Sequence, residues 1–232
     1  MIRVVTTFSR AQWDEYVHRL LPRSVDLWPK EVEWQVWLDD RWGDHQDAGN
    51  VRWRYLCDDP EHEAFMADWN ERVKRDPVLQ AKLGKFRYPH GYTQDAGTFA
   101  HKVFALTSKE ARDGADWLVF LDADIETVRL VDLDWLGRAL AGDIVHLGRA
   151  DIRSSETAFL AIRHPSTWTQ DGNDDRLNGA FFLHALRHVY TSGDIYNYAE
   201  WIDGHIIERL CAVFAGMGAD VRNLSAGVPG LD

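Results

Sequence analysis

The chain has 232 residues, 45% of them hydrophobic and 27% charged, which fits one large globular domain with an ample core and excludes a disordered chain. Its 26 basic and 37 acidic residues leave a formal charge of -11, which argues against a surface built to coat nucleic acid or an anionic membrane. The two cysteines, Cys57 and Cys211, form neither a metal-type spacing nor a disulfide framework, and no apolar run approaches the roughly 18 residues that a membrane span requires. The apolar core of MIRVVTTFSR is too short for a signal peptide, so the expected location is a reducing cytoplasm.

In chain order, residues 2–8 read as a first strand, β-branched, with Thr6, Thr7 and Ser9 at its C-terminal end. A helix is expected over 11–21, with Trp13, Tyr16, Val17, Leu20 and Leu21 on one face and Pro22 as its stop. Residues 32–38 alternate Val32, Trp34, Val36 and Leu38 against Glu33, Gln35 and Trp37, a second strand ending in Asp39-Asp40. Strand, helix, strand is the opening of a parallel α/β sheet. A short strand over 51–57 and an amphipathic helix over 61–75, with Pro60 at its first turn, come next. Residues 82–95 read as a loop that interleaves Lys85, Arg87 and His90 with Phe86, Tyr88 and Tyr92, a pattern suited to a phosphate backbone or a stacked base. A helix over 97–112 carries Lys102 off its apolar stripe.

The next stretch, WLVFLDADIE at 117–126, organises the chain. Five apolar residues read as a central strand covered on both faces. It stops at Asp122-Ala-Asp124, where open α/β sheets bind ligands, in the crevice beyond the strand ends. Two carboxylates so close repel, and a cation or a proton must relieve them. A hard divalent ion with oxygen ligands suits the site and brings phosphate with it. As a plain turn, the same Asp-x-Asp would be satisfied by local backbone N–H groups.

Beyond it, a helix over 131–140, strands over 143–147 and 154–162, helices over 177–190 and 203–217, and a last strand over 219–224 complete the pattern. No repeat or linker divides the chain, so residues 1–224 form one domain and 225–232 a flexible tail. Of the 11 tryptophans most are expected in the core, while exposed indole faces can stack on sugar rings or bases.

An acid at the end of the second strand, a cation-bearing helix, FLDAD at 120–124 and EWIDGHIIERL at 200–210 together resemble a nucleotide-sugar-dependent glycosyltransferase of the GT-A fold. The resemblance implies a Rossmann-type mixed, mainly parallel sheet flanked by helices. It implies a hexosyl- or pentosyltransferase that moves a sugar from a nucleotide diphosphate sugar to an acceptor hydroxyl, with Mn2+ or Mg2+ on the diphosphate. Asp124 would hold that ion; Asp122 would share it, or contact the ribose or a metal-bound water. Thr6, Thr7 and Phe8 would line the nucleotide, Asp39 would lie near the base, and Lys102 would add a positive charge near the phosphates or the sugar. Asp203 would be the general base of an inverting reaction, with Glu156 the competing base or sugar-binding acid. His205 would be a third metal ligand. The tail SAGVPGLD lacks the late His that this family often uses, and a water would complete the shell.

By the residues alone Asp203 also reads as a helix cap and His205 as a surface residue. Two other functions fit the same pattern. One is a haloacid-dehalogenase-like phosphotransferase, although Glu126 stands where that motif wants Thr or Val. The other is a non-catalytic sugar- or nucleotide-binding module. The charge favours a small glycoside as acceptor over a modified DNA base or a protein.

Overall fold

The computed structural model describes residues 1–83, 96–147, 159–164, 177–192 and 202–224. Among the described residues, seven strands form one sheet: β1 Ile2–Phe8, β2 Glu33–Leu38, β3 Val51–Tyr55, β4 Trp117–Leu121, β5 Ile144–His146, β6 Phe159–Arg163 and β7 Val221–Asn223, in the order β3-β2-β1-β4-β6-β5-β7. Strands β1 to β4 run parallel, β6 is antiparallel to β4 and β5, and β7 is parallel to β5. The sheet is thus mixed and mainly parallel, as its apolar strands require. Val4, Val5, Leu118, Val119 and Phe120 are wholly buried, each contributing roughly 1.5–3 kcal/mol of apolar burial.

The helices are α1 Leu20–Leu27, α2 Pro60–Arg75, α3 Pro77–Leu83, α4 Ala96–Thr107, α5 Lys109–Arg112, α6 Leu133–Ala139, α7 Leu177–Thr191 and α8 Ile202–Gly216. Alternation along each strand builds a core on both faces. Val5, Trp37, Leu118 and Phe120 meet the side carrying α2, α4, α7 and α8. Val4, Phe8, Trp34, Val36, Leu38, Val119 and Leu121 meet the side carrying α1 and α6.

Three expectations change. Pro22 does not end the first helix. A 3-10 turn and a π-helical turn occupy residues 10–17, and α1 then starts at Leu20 with Pro22 in its first turn. A first-turn proline needs no N–H donor, which is why it is tolerated there. The helix expected over 97–112 is two, because the Ser108 hydroxyl caps α5 by accepting from the Ala111 N–H at 3.0 Å. Residues 82 and 83, expected to open a loop, instead close α3; residues 84–95 lie outside the described residues.

Local chemistry fixes the other ends. Asp59 caps α2, accepting from the N–H groups of Glu61 and His62 at 2.9 and 3.3 Å, with Pro60 at the first position. Arg187 on α7 then grips Asp59 and Glu61 at 2.9 and 2.8 Å, tying α7 to α2. The buried Arg3 bonds Glu33 at 2.6 Å and donates to the carbonyls of Glu110, Ala111 and Asp113, holding the segment that leads into β4. At Gly179, a Cβ would lie 1.8 Å from the Arg163 carbonyl oxygen, so α7 can cross β6 this closely only with glycine.

Candidate active site

Strand order reverses between β1 and β4: from β1 the chain moves out to β2 and β3 on one side, then returns to β4 on the other. The crevice beyond the C-terminal ends of two such strands is where open α/β sheets take ligands. Phe8, Leu38 and Leu121 end β1, β2 and β4 there; Asp39 and Asp122 directly follow the last two, with Asp124 two residues further on.

Asp122 opens a turn in which its carbonyl accepts from the Ile125 N–H at 3.1 Å. Its carboxylate meets Lys102 of α4 at 2.8 Å, and that lysine is buried, with only 7% of its side chain exposed. The Lys102 ammonium also lies 4.9 Å from the centroid of the Phe120 ring, whose face attracts a cation. Asp124 is exposed at the head of the same turn. Glu126, the third acid of the stretch, points elsewhere and pairs with Arg23 of α1. The Trp28 indole donates to the Thr127 hydroxyl at 3.0 Å and the Val131 N–H to the Leu27 carbonyl at 2.9 Å, so α1 holds the whole post-β4 loop.

Thr6, Phe8 and Asp122 meet around a cavity of about 10 Å³ that Ser24 and Trp34 also line, room for about one water molecule. Thr6 and Phe8 are buried, so Phe8 serves as core, and Thr7 on the opposite face is half-buried. Asp39 adjoins them, its N–H bonded to the Phe8 carbonyl at 3.2 Å. Burial pushes its carboxyl above the usual value, opposed by hydrogen bonds from the Trp42 indole at 2.6 Å and the Arg10 N–H at 3.3 Å.

Sequence reasoning missed what surrounds Asp39. Trp13, Trp42, His45 and Trp53 pack as one aromatic wall, with His45 stacked on Trp53 at 4.6 Å and Trp13 edge-on to Trp42 at 4.7 Å. Nothing in their spacing announces it, since they come from three separate segments. It also missed His146 at the end of β5. Burial lowers its pKa against the pull of Glu208 on α8, and its Nδ1 has no hydrogen-bond partner among the described residues.

Of the remaining candidates, Glu156 lies outside the described residues, as do the side chains of Asp203 and His205. The backbone of the last two belongs to the first turn of α8, which begins at Ile202. A cleft of about 820 Å³ runs along the β2–β3 edge, reaching Arg41 and Tyr55 at the ends of those strands and extending to Lys109 and Arg187, away from the ends of β1 and β4. It is the roomier cavity, but its cations are largely spent on internal acids: Arg41 on Asp58 and Arg187 on Asp59 and Glu61. The strand ends carry the distinctive chemistry.

The donor set at the strand ends is oxygen-based, which fits a hard divalent ion better than a thiophilic one. Asp124 is exposed to receive such an ion, while Asp122 already faces an ammonium. Among the described residues, no group of three or more His, Cys, Asp or Glu side chains forms a ready-made metal cluster, and no helix is long and apolar enough to cross a membrane. No protein-family model matches the chain, and a search of curated proteins finds no match.

Proposed function

We propose that the chain is a glycosyltransferase of the GT-A fold, a hexosyl- or pentosyltransferase that uses a nucleotide diphosphate sugar. One observation carries the reading: Asp122 and Asp124 stand at the C-terminal end of a buried central strand, beside the β1–β4 switch point, with a buried lysine on the first of them. That arrangement suits a ligand rich in negative charge on its leaving-group side.

Breaking the bond between the sugar and the diphosphate leaves charge on the diphosphate. A bound Mn2+ or Mg2+ would neutralise it, and Asp124, with Asp122, would hold that ion. Lys102 adds a fixed positive charge on the same side. Thr7, half-buried near the end of β1, approaches the nucleotide while the buried Thr6 supports the floor beside Asp122, and Asp39 with the Trp42 wall faces the base. The acceptor hydroxyl loses its proton to a carboxylate within hydrogen-bond reach, Asp203 in an inverting reaction or Glu156 in its place. His205 in the first turn of α8 is the candidate third ligand. The formal charge of -11 favours a small, neutral glycoside over DNA as acceptor.

The test is Asp124→Asn. Thermal shift with nucleoside diphosphates, with and without Mn2+, reads binding through mass action. The parent should gain stability from a nucleotide only when Mn2+ is present, and Asp124→Asn should lose that gain while keeping its own melting temperature. A variant that responds as the parent does removes Asp124 from the site.

A further inference from the structure

Two carboxylates one residue apart need a counter-ion, and the fold already supplies one. Lys102 Nζ lies 2.8 Å from Asp122 Oδ1, with 7% of the lysine side chain and 32% of the aspartate side chain exposed. The ammonium rests over Phe120, and its helix packs on β1 and β4. A charge this deeply covered is held by its partner and cannot be traded for water as a surface lysine's is.

Resting on the reading of Asp122 and Asp124 as ligands of a divalent cation, we infer that Lys102 is a built-in counter-ion that keeps the cation affinity of the nucleotide-free site low, so that the divalent ion and the diphosphate bind together. An ion entering at Asp122 must share that carboxylate with an ammonium at ion-pair distance. Like charges so close repel strongly where water is partly excluded. A diphosphate brings more than one negative charge and accommodates both cations. Each ligand therefore raises the affinity for the other, and by linkage the factor is the same in both directions. Lys102 is in this sense a positioning residue. It sets which combination of ligands the site accepts, and idle binding of Mn2+ to the empty site is suppressed.

The test is direct Mn2+ binding to the full chain, read from the electron paramagnetic resonance signal of free Mn2+. It is run with and without inorganic pyrophosphate, with correction for Mn2+–pyrophosphate in solution. In the parent, pyrophosphate should tighten Mn2+ binding by about ten-fold or more, within the usual range of such couplings. Lys102→Met should bind Mn2+ alone about ten-fold more tightly than the parent and show a smaller pyrophosphate effect. Lys102→Gln serves if the methionine variant does not fold, and the pyrophosphate effect in the parent needs no variant. A lysine-free variant that binds Mn2+ no more tightly than the parent overturns the inference, as does a parent indifferent to pyrophosphate. If Mn2+ binding is equal in parent and Lys102→Met but lost in Asp124→Asn, the role of Lys102 falls while the cation site stands. If no form binds Mn2+ under either condition, both fall together.

Discussion

Mild acid should destabilise this fold through His62, and the effect can be isolated by one substitution. His62 sits on the first turn of α2, 4% exposed, with its ring edge-on to Phe104 at 5.2 Å and 5.3 Å from the ring of His101. Among the described residues neither ring nitrogen has a partner at full hydrogen-bond geometry, although the Leu56 backbone carbonyl lies close enough to favour the charged ring. Burial first, then the nearby His101 and Arg187, lower its pKa from 6.5 to about 4 against the pull of Asp59 and the Leu56 backbone carbonyl. A depressed histidine pKa means that the unfolded chain binds the proton more readily. The neutral imidazole's contribution is therefore complete above about pH 6.5 and drains away as the pH falls toward about 4. For this residue alone the loss is about 1.4 kcal/mol near pH 5.5 and about 3 kcal/mol by pH 4. In a domain of this size 1.4 kcal/mol is roughly 3–6 °C of melting temperature.

His62→Leu removes the titration and both buried, poorly satisfied ring nitrogens, and leucine is the better helix former. At pH 7.5 the variant should match or slightly exceed the parent. Between pH 7.5 and 5.5 its melting temperature should fall by roughly 3–6 °C less than the parent's. The assay is chemical denaturation or calorimetry of both proteins across that range, so that carboxylate effects common to both cancel. Parallel pH profiles would refute the reasoning, because His62 would then titrate alike in the folded and unfolded chains.

Three further outcomes follow from named contacts. Arg3→Met strips a buried cation from Glu33 and from three carbonyls, and should cost about 3–5 kcal/mol in urea denaturation. Gly179→Ala drives a methyl group into the Arg163 carbonyl and should cost more than about 3 kcal/mol or abolish soluble expression, whereas Gly137→Ala, with open space around it, should be neutral or stabilising. Asp203→Asn should keep the melting temperature and lose about 10²-fold or more in transfer rate, since the amide cannot accept the acceptor's proton; an equally active Asn variant would shift the base to Glu156.

Much of the sheet was legible because its strands are short, apolar and punctuated. The alternation of Val32, Trp34, Val36 and Leu38 against Glu33, Gln35 and Trp37 gave β2 its two faces, and WLVFL ending in Asp122 gave β4. The pairing of β6 against β4 was not legible, because strand direction is set by where intervening segments cross and not by the strand's own residues. Pro22 misled because proline stops a helix from inside but suits its first turn, and the sequence does not mark which turn is first. At the site, Asp39 and Asp122 were legible as acids at strand ends, whereas Lys102, expected off the apolar stripe of its helix, proves buried because its ammonium is held by Asp122. The couplings were not legible: that Glu126 turns to Arg23, that Lys102 reaches Asp122, and that Trp42 donates to Asp39 depend on contacts across 103, 20 and 3 residues of chain.

The most direct measurement incubates the purified chain with a panel of nucleotide diphosphate sugars and Mn2+, then separates and quantifies nucleoside diphosphate. A glycosyltransferase should release nucleoside diphosphate from one sugar nucleotide class, slowly to water and faster with an acceptor glycoside, and Asp124→Asn or chelation should stop it. Release of inorganic phosphate from a phosphomonoester, with every sugar nucleotide left intact, would contradict the account and assign Asp122 and Asp124 to phosphoryl transfer instead.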